Sequence, residues 1–541
     1  MSKAIFVNQI GYLVDGFKAG YVTAKAAEAA DGTFVLKTPE NQIVYTGKLG
    51  LPVEDRIAGA PYCCADFSDF IQPGKYILSV GDNDSYIFEI GEKIYESLYV
   101  SILRYFTLSR CGCTVNHPVF GHEPCHASVA EIYGEPGKTR NVLGGWHDAG
   151  DYGRYVVAGT KTVLDLLVAY KALQMKGDKE SLNLFDILDE TRFELEWLLQ
   201  MQREDGAVYH KISTYHFCGF ITPEADNEKI VLAPVSTAAT ADFAGCLAYA
   251  SMYYKDIDSA FADKLLAAAT KAQDYLFAHE DELYKNPPEI RTGEYGDRNV
   301  EDERFLAAAG LFAATGKEEY KKAAEEIWEK AHAVLNEGTI CGNKHYFAGF
   351  GWGNVGAYGM EILIHSGRLA EDDPFRLKIL ESIMERAEQL MAKVNTASFG
   401  TSHEFVFWGS NGYVCDNAHI LILAANFVDE EKRGEYYKAV QKQFNYILGC
   451  NPMGMCYVTG FGSESTKQPH HRPSGALKTL MPGMLAGGPA EGLVDPTIKE
   501  AYGGRNIAPL NCYLDHIHSY SSNEVAIYWN SPFVLLCACC M

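Results

Sequence analysis

Apolar positions along the chain recur with two different periods, and the change falls near residue 91. Before it, short runs such as AIFVNQIGY, TFVLKT, QIVYTGKL and GKYILSVGDNDSYIFEI are separated by DG, PGK and GDND, the turn chemistry of a small antiparallel β-sandwich. After it the spacing is helical. Leu184, Leu188, Thr191, Leu195 and Leu198 follow at steps of four and three, and FADKLLAAATKAQDYLFAH covers 261 to 279. About twelve such amphipathic stretches are predicted, enough for six hairpins in an (α/α)6 toroid. The chain shows no fixed-period repeat, which counts against an α-solenoid. The expected fold class is mainly α, with a small all-β sandwich over 1–90 and a helical domain over 91–541.

Between the helical stretches lie long segments rich in Gly, Pro and aromatics, at 111–153, 203–235, 280–300, 395–411 and 449–520. Ordered loops on a helical scaffold are where binding sites usually sit. The first of them ends in GGWHDAGDYGRYVV (144–157), which sets Asp148 and Asp151 three positions apart. A purely structural alternative for Asp151 is an N-cap to the run Tyr155, Val156, Leu164, Leu167. A second acidic cluster lies in CYLDHIHSYSSNEVAIYWNSP (512–532). There Glu524 is expected to start a helix with Val525, Tyr528, Trp529 and Val534 on its apolar face, a position that the dipole favours for an acid. Flanking by Tyr520, Tyr528 and Trp529 predicts the partial desolvation that suits a general acid. A closed toroid makes the first and last helices neighbours, and would set Glu524 opposite Asp148 and Asp151.

Charge narrows the ligand. With 70 acidic against 47 basic residues, the 541-residue chain carries a formal charge of -23, which argues against nucleic acid or an anionic membrane surface. A neutral or cationic ligand fits better. MSKAIFVNQIGYL shows no export signal, and no stretch reaches membrane-spanning length. The fifteen cysteines, an odd number that includes Cys63, Cys64, Cys537, Cys539 and Cys540, read as reduced thiols, so the expected location is the cytoplasm. Four residues nevertheless have metal-ligand chemistry: Cys111, Cys125, His126 and His147 make a Cys2His2 set of the kind that binds zinc tetrahedrally. Cys113 is an alternative to Cys111, and unrelated buried thiols are the structural alternative to the whole set.

The ordered series VNQIGY, GGWHDAGDYGRY, DILDETRFELEWLLQMQREDG, VSTAATADFA, WGSN, YVTGFGSESTKQPHHRPS and SYSSNEVAIYWNSP resembles glycoside hydrolase family nine, in the subgroup with an N-terminal immunoglobulin-like domain. Tyr513, Asp515, Tyr520, Glu524 and Asn530 fit one signature of that family throughout. The resemblance implies hydrolysis of β-glucosidic bonds with inversion, one carboxylic acid protonating the leaving oxygen and one carboxylate activating water from the other face. It assigns Asp151 as general base, Asp148 as the group that holds the water, and Glu524 as general acid. His470 and Arg472 match a sugar-binding motif, with Glu464 standing where a basic residue or Asn is usual. Asp515 is expected to orient the catalytic groups or to serve a plain turn, and Trp408 and Tyr520 to stack on sugar rings. The resemblance further implies a structural zinc on Cys111, Cys125, His126 and His147. Asp302 and Glu303, with Asn354, resemble a segment contributing to a calcium site; calcium stays open, since acids at a helix start need no metal.

The expected activity is therefore hydrolysis of β-1,4-glucans or cellodextrins. An exo-β-glucosaminidase and a non-catalytic glycan-binding protein are the alternatives. The expected partner is a β-glucan oligosaccharide, with no nucleic acid, membrane or protein partner indicated.

Overall fold

The computed structural model describes residues 3–336 and 347–541, and Cys341 lies outside them. The chain divides into two compact units, one of Met1–Tyr105, Ala172–Phe185 and Ala387–Met541, the other of Phe106–Lys171 and Asp186–Arg386. Twelve of the described helices reach ten residues or more, as the apolar period predicts. No described helix is long and apolar enough to cross a membrane.

The first unit opens with two β-sheets around a core that includes Val22, Phe34, Leu36, Phe67 and Leu78. One sheet joins Ile5–Phe6, Ala19–Thr23 and Tyr62–Asp66. The other runs Gly11–Leu13, Phe88–Gly91, Gly74–Val80, Thr33–Lys37, Ile43–Lys48. The expected purely antiparallel sandwich needs one correction, because Gly11–Leu13 pairs with Phe88–Gly91 in parallel. The reason is local: Asn8 Oδ1 accepts the amides of Ile10 and Gly11, a turn that carries the first segment from one sheet to the other. In the same unit Asn8 and Gln9 of VNQ reach a helix and the loop that follows it. Asn8 Nδ2 donates to Asn445 Oδ1 at 2.8 Å, and the Gln9 side chain bonds Gly454 and Glu464. Both are buried. The helices Ser410–Ala425, Glu430–Ile447 and Ile527–Cys539 belong to this unit, with most of Glu96–Leu108.

In the second unit, Thr237–Tyr254 packs against Ser259–Ala278 and Glu301–Thr315. Gly245 and Gly310 make the close crossing: a β-carbon on Gly310 would lie 2.7 Å from the Gly245 carbonyl oxygen. The run from Leu184 to Leu198 is not one helix, as its period predicted, but two. Lys179–Leu184 ends, and Asp186 caps Ile187–Met201 by accepting the Asp189 amide; the apolar spacing continues through the break and hides it. The long loops also hold a five-stranded sheet, in the order Thr139–Arg140, Ala130–Ile132, Ile230–Leu232, Lys211–Thr214, Arg154–Tyr155. Strands of two to four residues are too short to show an alternating pattern.

Candidate active site and metal centre

Cys111, Cys125, His126 and His147 come together in the second unit, all buried, with their ligand atoms within 4.8 Å of one another. The Cys111 and Cys125 sulfurs are 3.7 Å apart, Cys111 Sγ is 3.7 Å from His126 Nδ1, and Cys125 Sγ is 3.6 Å from His147 Nε2. A tetrahedral ion bound at about 2.3 Å to sulfur and about 2.0 Å to nitrogen separates two sulfurs by about 3.8 Å and sulfur from nitrogen by about 3.5 Å. The set therefore fits one metal ion. Asp226 Oδ2 lies 3.4 Å from His126 Nε2, the carboxylate that orients a ligating imidazole. His126 itself has φ of 49°, a left-handed backbone that outside contacts must maintain. Cys113 is only partly buried and lies outside the set.

The loop that follows His147 carries both aspartates, and it is clamped from the helix Ile187–Met201. Glu194 Oε2 accepts the Trp146 amide at 2.7 Å and Glu190 Oε1 the Trp146 indole N–H at 2.9 Å, while Arg110 grips Glu190 with two N–H groups. Burial pushes the Glu194 carboxyl up to about 8. Gly145, at φ of 81°, lies against Trp197, so a β-carbon there would sit 2.7 Å from the indole. Asp148 is buried, and its Oδ2 accepts a hydrogen bond from the Tyr295 hydroxyl at 2.5 Å. Asp151 Oδ2 accepts from the Tyr155 hydroxyl at 3.1 Å and the Gly153 amide at 3.0 Å. Asp151 is thus no helix cap, since its carboxylate closes a turn before Arg154–Tyr155 and the helix begins only at Val156. Burial first, and then Asp151 and Asp148, push the Tyr155 phenol far above its usual range. It remains a donor. Arg154, the cation nearest in sequence, instead donates to the Gly144 carbonyl at 2.7 Å.

Glu524, in the first unit, does not start a helix. It follows Tyr520–Asn523 with extended backbone (φ -69°, ψ 159°), and the next helix begins at Ile527. Its segment is held extended by isolated β-bridges: the His470 amide donates to the Asn523 carbonyl at 2.8 Å and the Gly487 amide to the Glu524 carbonyl at 2.7 Å. Ladder bonds override the helical spacing of the apolar residues. His470 Nδ1 meets the Ile517 carbonyl at 2.6 Å, fixing the ring, and Arg472 is buried at the start of Arg472–Leu477. Asp515 accepts the amides of Lys467 and Gln468 and the Asn523 side chain, so it orients the neighbours of both His470 and Glu524. Tyr513 reaches Asn523 as well, whereas Asn530 clamps Leu485 and Gly483. Trp408 is 40% exposed, with its ring centroid 5.2 Å from that of Tyr520, an aromatic pair open to a sugar face. Trp529 is buried, packed so tightly that a β-carbon on Gly409, Gly412 or Gly487 would lie 2.7, 2.4 or 3.0 Å from it.

A family model described as glycosyl hydrolase family 9 matches residues 95–537, and one described as a cellulase N-terminal ig-like domain matches 1–85. The chain belongs to glycosyl hydrolase family 9. Among relatives in this family, a cellodextrinase of Butyrivibrio fibrisolvens is 34% identical, with 98% of each chain covered. A xyloglucan-specific endo-β-1,4-glucanase of Bacteroides ovatus is 31% identical over 99% of this chain and 93% of the other. The crystal structure of an endoglucanase mutant from Alicyclobacillus acidocaldarius matches with a TM-score of 0.88 at 32% identity, 99% of both chains covered. A zinc-binding triple mutant of the family 9 endoglucanase J30 gives 0.86 at 29% identity, covering 97% of this chain and 99% of that one. The protein is a glycoside hydrolase, and the mainly α class with a preceding immunoglobulin-like sandwich holds.

Membership of family 9 returns attention to Asp302 and Glu303. Asp302 Oδ2 accepts the Val355 amide at 2.8 Å. Both Glu303 carboxylate oxygens and Asn354 Oδ1 are buried without a hydrogen-bond partner among the described residues. The same is true of Asp242, which the sequence did not single out. Burial, then mutual repulsion, raises Glu303 and Asp242 well above the carboxylate range, and burial raises Asp302 to about 6. A helix-start role alone does not account for these orphaned oxygens. Sequence reasoning also passed over Tyr295, Glu190 and Glu194. Only the burial of acidic residues on an amphipathic helix, in DETRFELEW, hinted at the last two.

Proposed function

We propose that the protein is an inverting hydrolase of β-1,4-glucosidic bonds in cellulose-derived glucans, with cellodextrins as its preferred substrates. The observation that carries this reading is the pair of buried aspartates, each held by a phenolic donor, in a family 9 chain related along its length to a cellodextrinase. Asp151 takes a proton from water as the water oxygen bonds the anomeric carbon. Asp148 holds that water, and Glu524 protonates the glycosidic oxygen as its bond to the anomeric carbon breaks. The chemistry requires about 6.5–9.5 Å between acid and base. His470 and Arg472 supply fixed donors to sugar hydroxyls, Trp408 and Tyr520 stack on a ring, and Asp515 orients the loop backbone around them.

The metal proposed for Cys111, Cys125, His126 and His147 is zinc. Two thiolates and two imidazoles suit it, and four protein ligands leave no open position for catalysis. Its role is to pin the loop on which Asp148 and Asp151 follow. A cytoplasmic location is proposed as well. The described cysteines are all free thiols, which fits a reducing compartment and short imported oligosaccharides.

The test is hydrolysis of cellohexaose, cellobiose and chitosan dimers, with the anomer of the first product read by NMR. Release of α-anomeric product from cellohexaose is expected. Turnover confined to the chitosan dimer would assign an exo-β-glucosaminidase, and binding without turnover of any substrate would make the protein a glycan-binding one.

A further inference from the structure

Residue 211 is a lysine inside a strand, Lys211–Thr214, whose four residues are all buried. Burying an ammonium is costly unless its charge and its protons are answered. Lys211 Nζ donates to Thr292 Oγ1 at 3.0 Å and to the Gly293 carbonyl, with the Thr292 carbonyl at 3.5 Å. These acceptors are uncharged oxygens. The opposite charge comes at longer range from Asp151 and Glu294.

The placement links both phenols of the aspartate loop. Lys211 is the cross-strand partner of Tyr155, and its Nζ lies 5.4 Å from the Tyr155 ring centroid, within cation–π range. The carbonyl that it holds, Gly293, stands two residues before Tyr295. That tyrosine has φ of 49°, a backbone state that persists only under outside constraint. The Tyr155 and Tyr295 rings are 4.6 Å apart.

We propose that Lys211 is a positioning residue of the hydrolytic reaction, a buried cation that ties Tyr155 to the 292–295 segment and so holds the two phenols on Asp151 and Asp148. This rests on the reading of Asp151 as the general base. The groups that face Lys211 are Asp151, Glu294, Tyr155, Tyr284 and His210. Burial, with Lys211 beside it, pushes His210 down to about 3, so that imidazole is neutral. Burial also pushes the Lys211 ammonium down to about 7. It is charged through the acidic range.

The experiment compares Lys211→Met, Lys211→Arg and Tyr155→Phe with the wild type on cellotetraose, with kcat and KM followed across the acidic limb of the pH profile. Lys211→Met is expected to lose about 10- to 100-fold in kcat with KM within about threefold, and its acidic limb moves up by about one pH unit. Lys211→Arg restores part of both. A limb that stays put in Lys211→Met, or a loss that Lys211→Arg does not relieve, would reduce the lysine to a structural part and overturn the proposal. Should Lys211→Met not fold, Tyr155→Phe removes one hydroxyl only; an unmoved limb there is equally fatal. Asp151→Asn separates the two levels. Near-normal turnover in it sinks the general-base reading, while an inactive Asp151→Asn beside an unaltered Lys211→Met sinks the lysine's role alone.

Discussion

The Glu464 amide donates to the Gln9 side-chain oxygen at 2.7 Å, while the Gln9 side-chain nitrogen donates to the Gly454 carbonyl at 3.0 Å. A residue of the N-terminal sandwich thus fastens the glycine-rich loop that leads to His470. Gln9→Ala leaves the part-buried Glu464 amide unanswered, while the Gly454 carbonyl keeps its bond from Lys3 Nζ at 2.8 Å, a cost of about 1–3 kcal/mol. Urea unfolding is expected to show a loss of that order. Glu464→Asn is expected to change stability by less than about 0.5 kcal/mol, because the ion pair its side chain makes with Lys467, at 3.4 Å, is exposed to solvent.

Glu524 can be told from Asp151 by the leaving group. Glu524→Gln should lower kcat on cellotetraose by about 10²- to 10⁴-fold, yet lose far less on a dinitrophenyl cellobioside, whose phenolate leaves without a proton. Asp151→Asn should be poor on both. Stopped-assay kinetics with the two substrates decide it, and equal losses in Glu524→Gln would remove the acid assignment. The fold should survive, since Glu524→Gln keeps the backbone bonds from the His470 and Gly487 amides to the Asn523 and Glu524 carbonyls.

Metal analysis of the purified protein should find one zinc per chain at the cysteine and histidine cluster. His147→Ala is expected to lose that metal and, with it, turnover, because the adjacent loop carries Asp148 and Asp151. Cys113→Ser, outside the cluster, should keep both. Zinc retained by His147→Ala, or lost from Cys113→Ser, would redraw the ligand set.

His403 gives the stability a defined dependence on pH. It is fully buried, both ring nitrogens lack a hydrogen-bond partner among the described residues, and burial pushes it from 6.5 down to about 3. Between those values the unfolded chain binds a proton that the folded chain refuses. Stability therefore rises with pH across that window, by up to about 1.4 kcal/mol per unit for this group, and the gain is complete above the unfolded value. Urea unfolding at a series of pH values should show a shallower rise in His403→Leu than in wild type; parallel curves would mean that the imidazole is solvated.

Much of this was legible in the sequence because it is written in local spacing. The helices follow an apolar period, and Cys125, His126 and His147 lie close along the chain to the loop they serve. The acid–base assignments came from motif resemblance, not from spacing. What stayed hidden depends on partners far away in sequence. Nothing near Asp148 announces Tyr295, which arrives from 147 residues on. The parallel pairing of Gly11–Leu13 follows from one asparagine side chain. Glu524 lies outside a helix although apolar residues around it keep helical spacing, because isolated β-bridges hold the backbone at 524 and 525 extended. The break at Asp186 was concealed in the same way.

The contact of Trp529 with Gly409, Gly412 and Gly487 has a consequence for variation. A methyl group at Gly409 or Gly412 meets the indole below 3.0 Å and one at Gly487 presses on it at 3.0 Å, so the size of residue 529 and the smallness of these three positions are coupled. A mutational library that also shrinks the indole should recover alanine at position 412 or 487, whereas position 409, at φ of 91°, stays glycine whatever stands at 529.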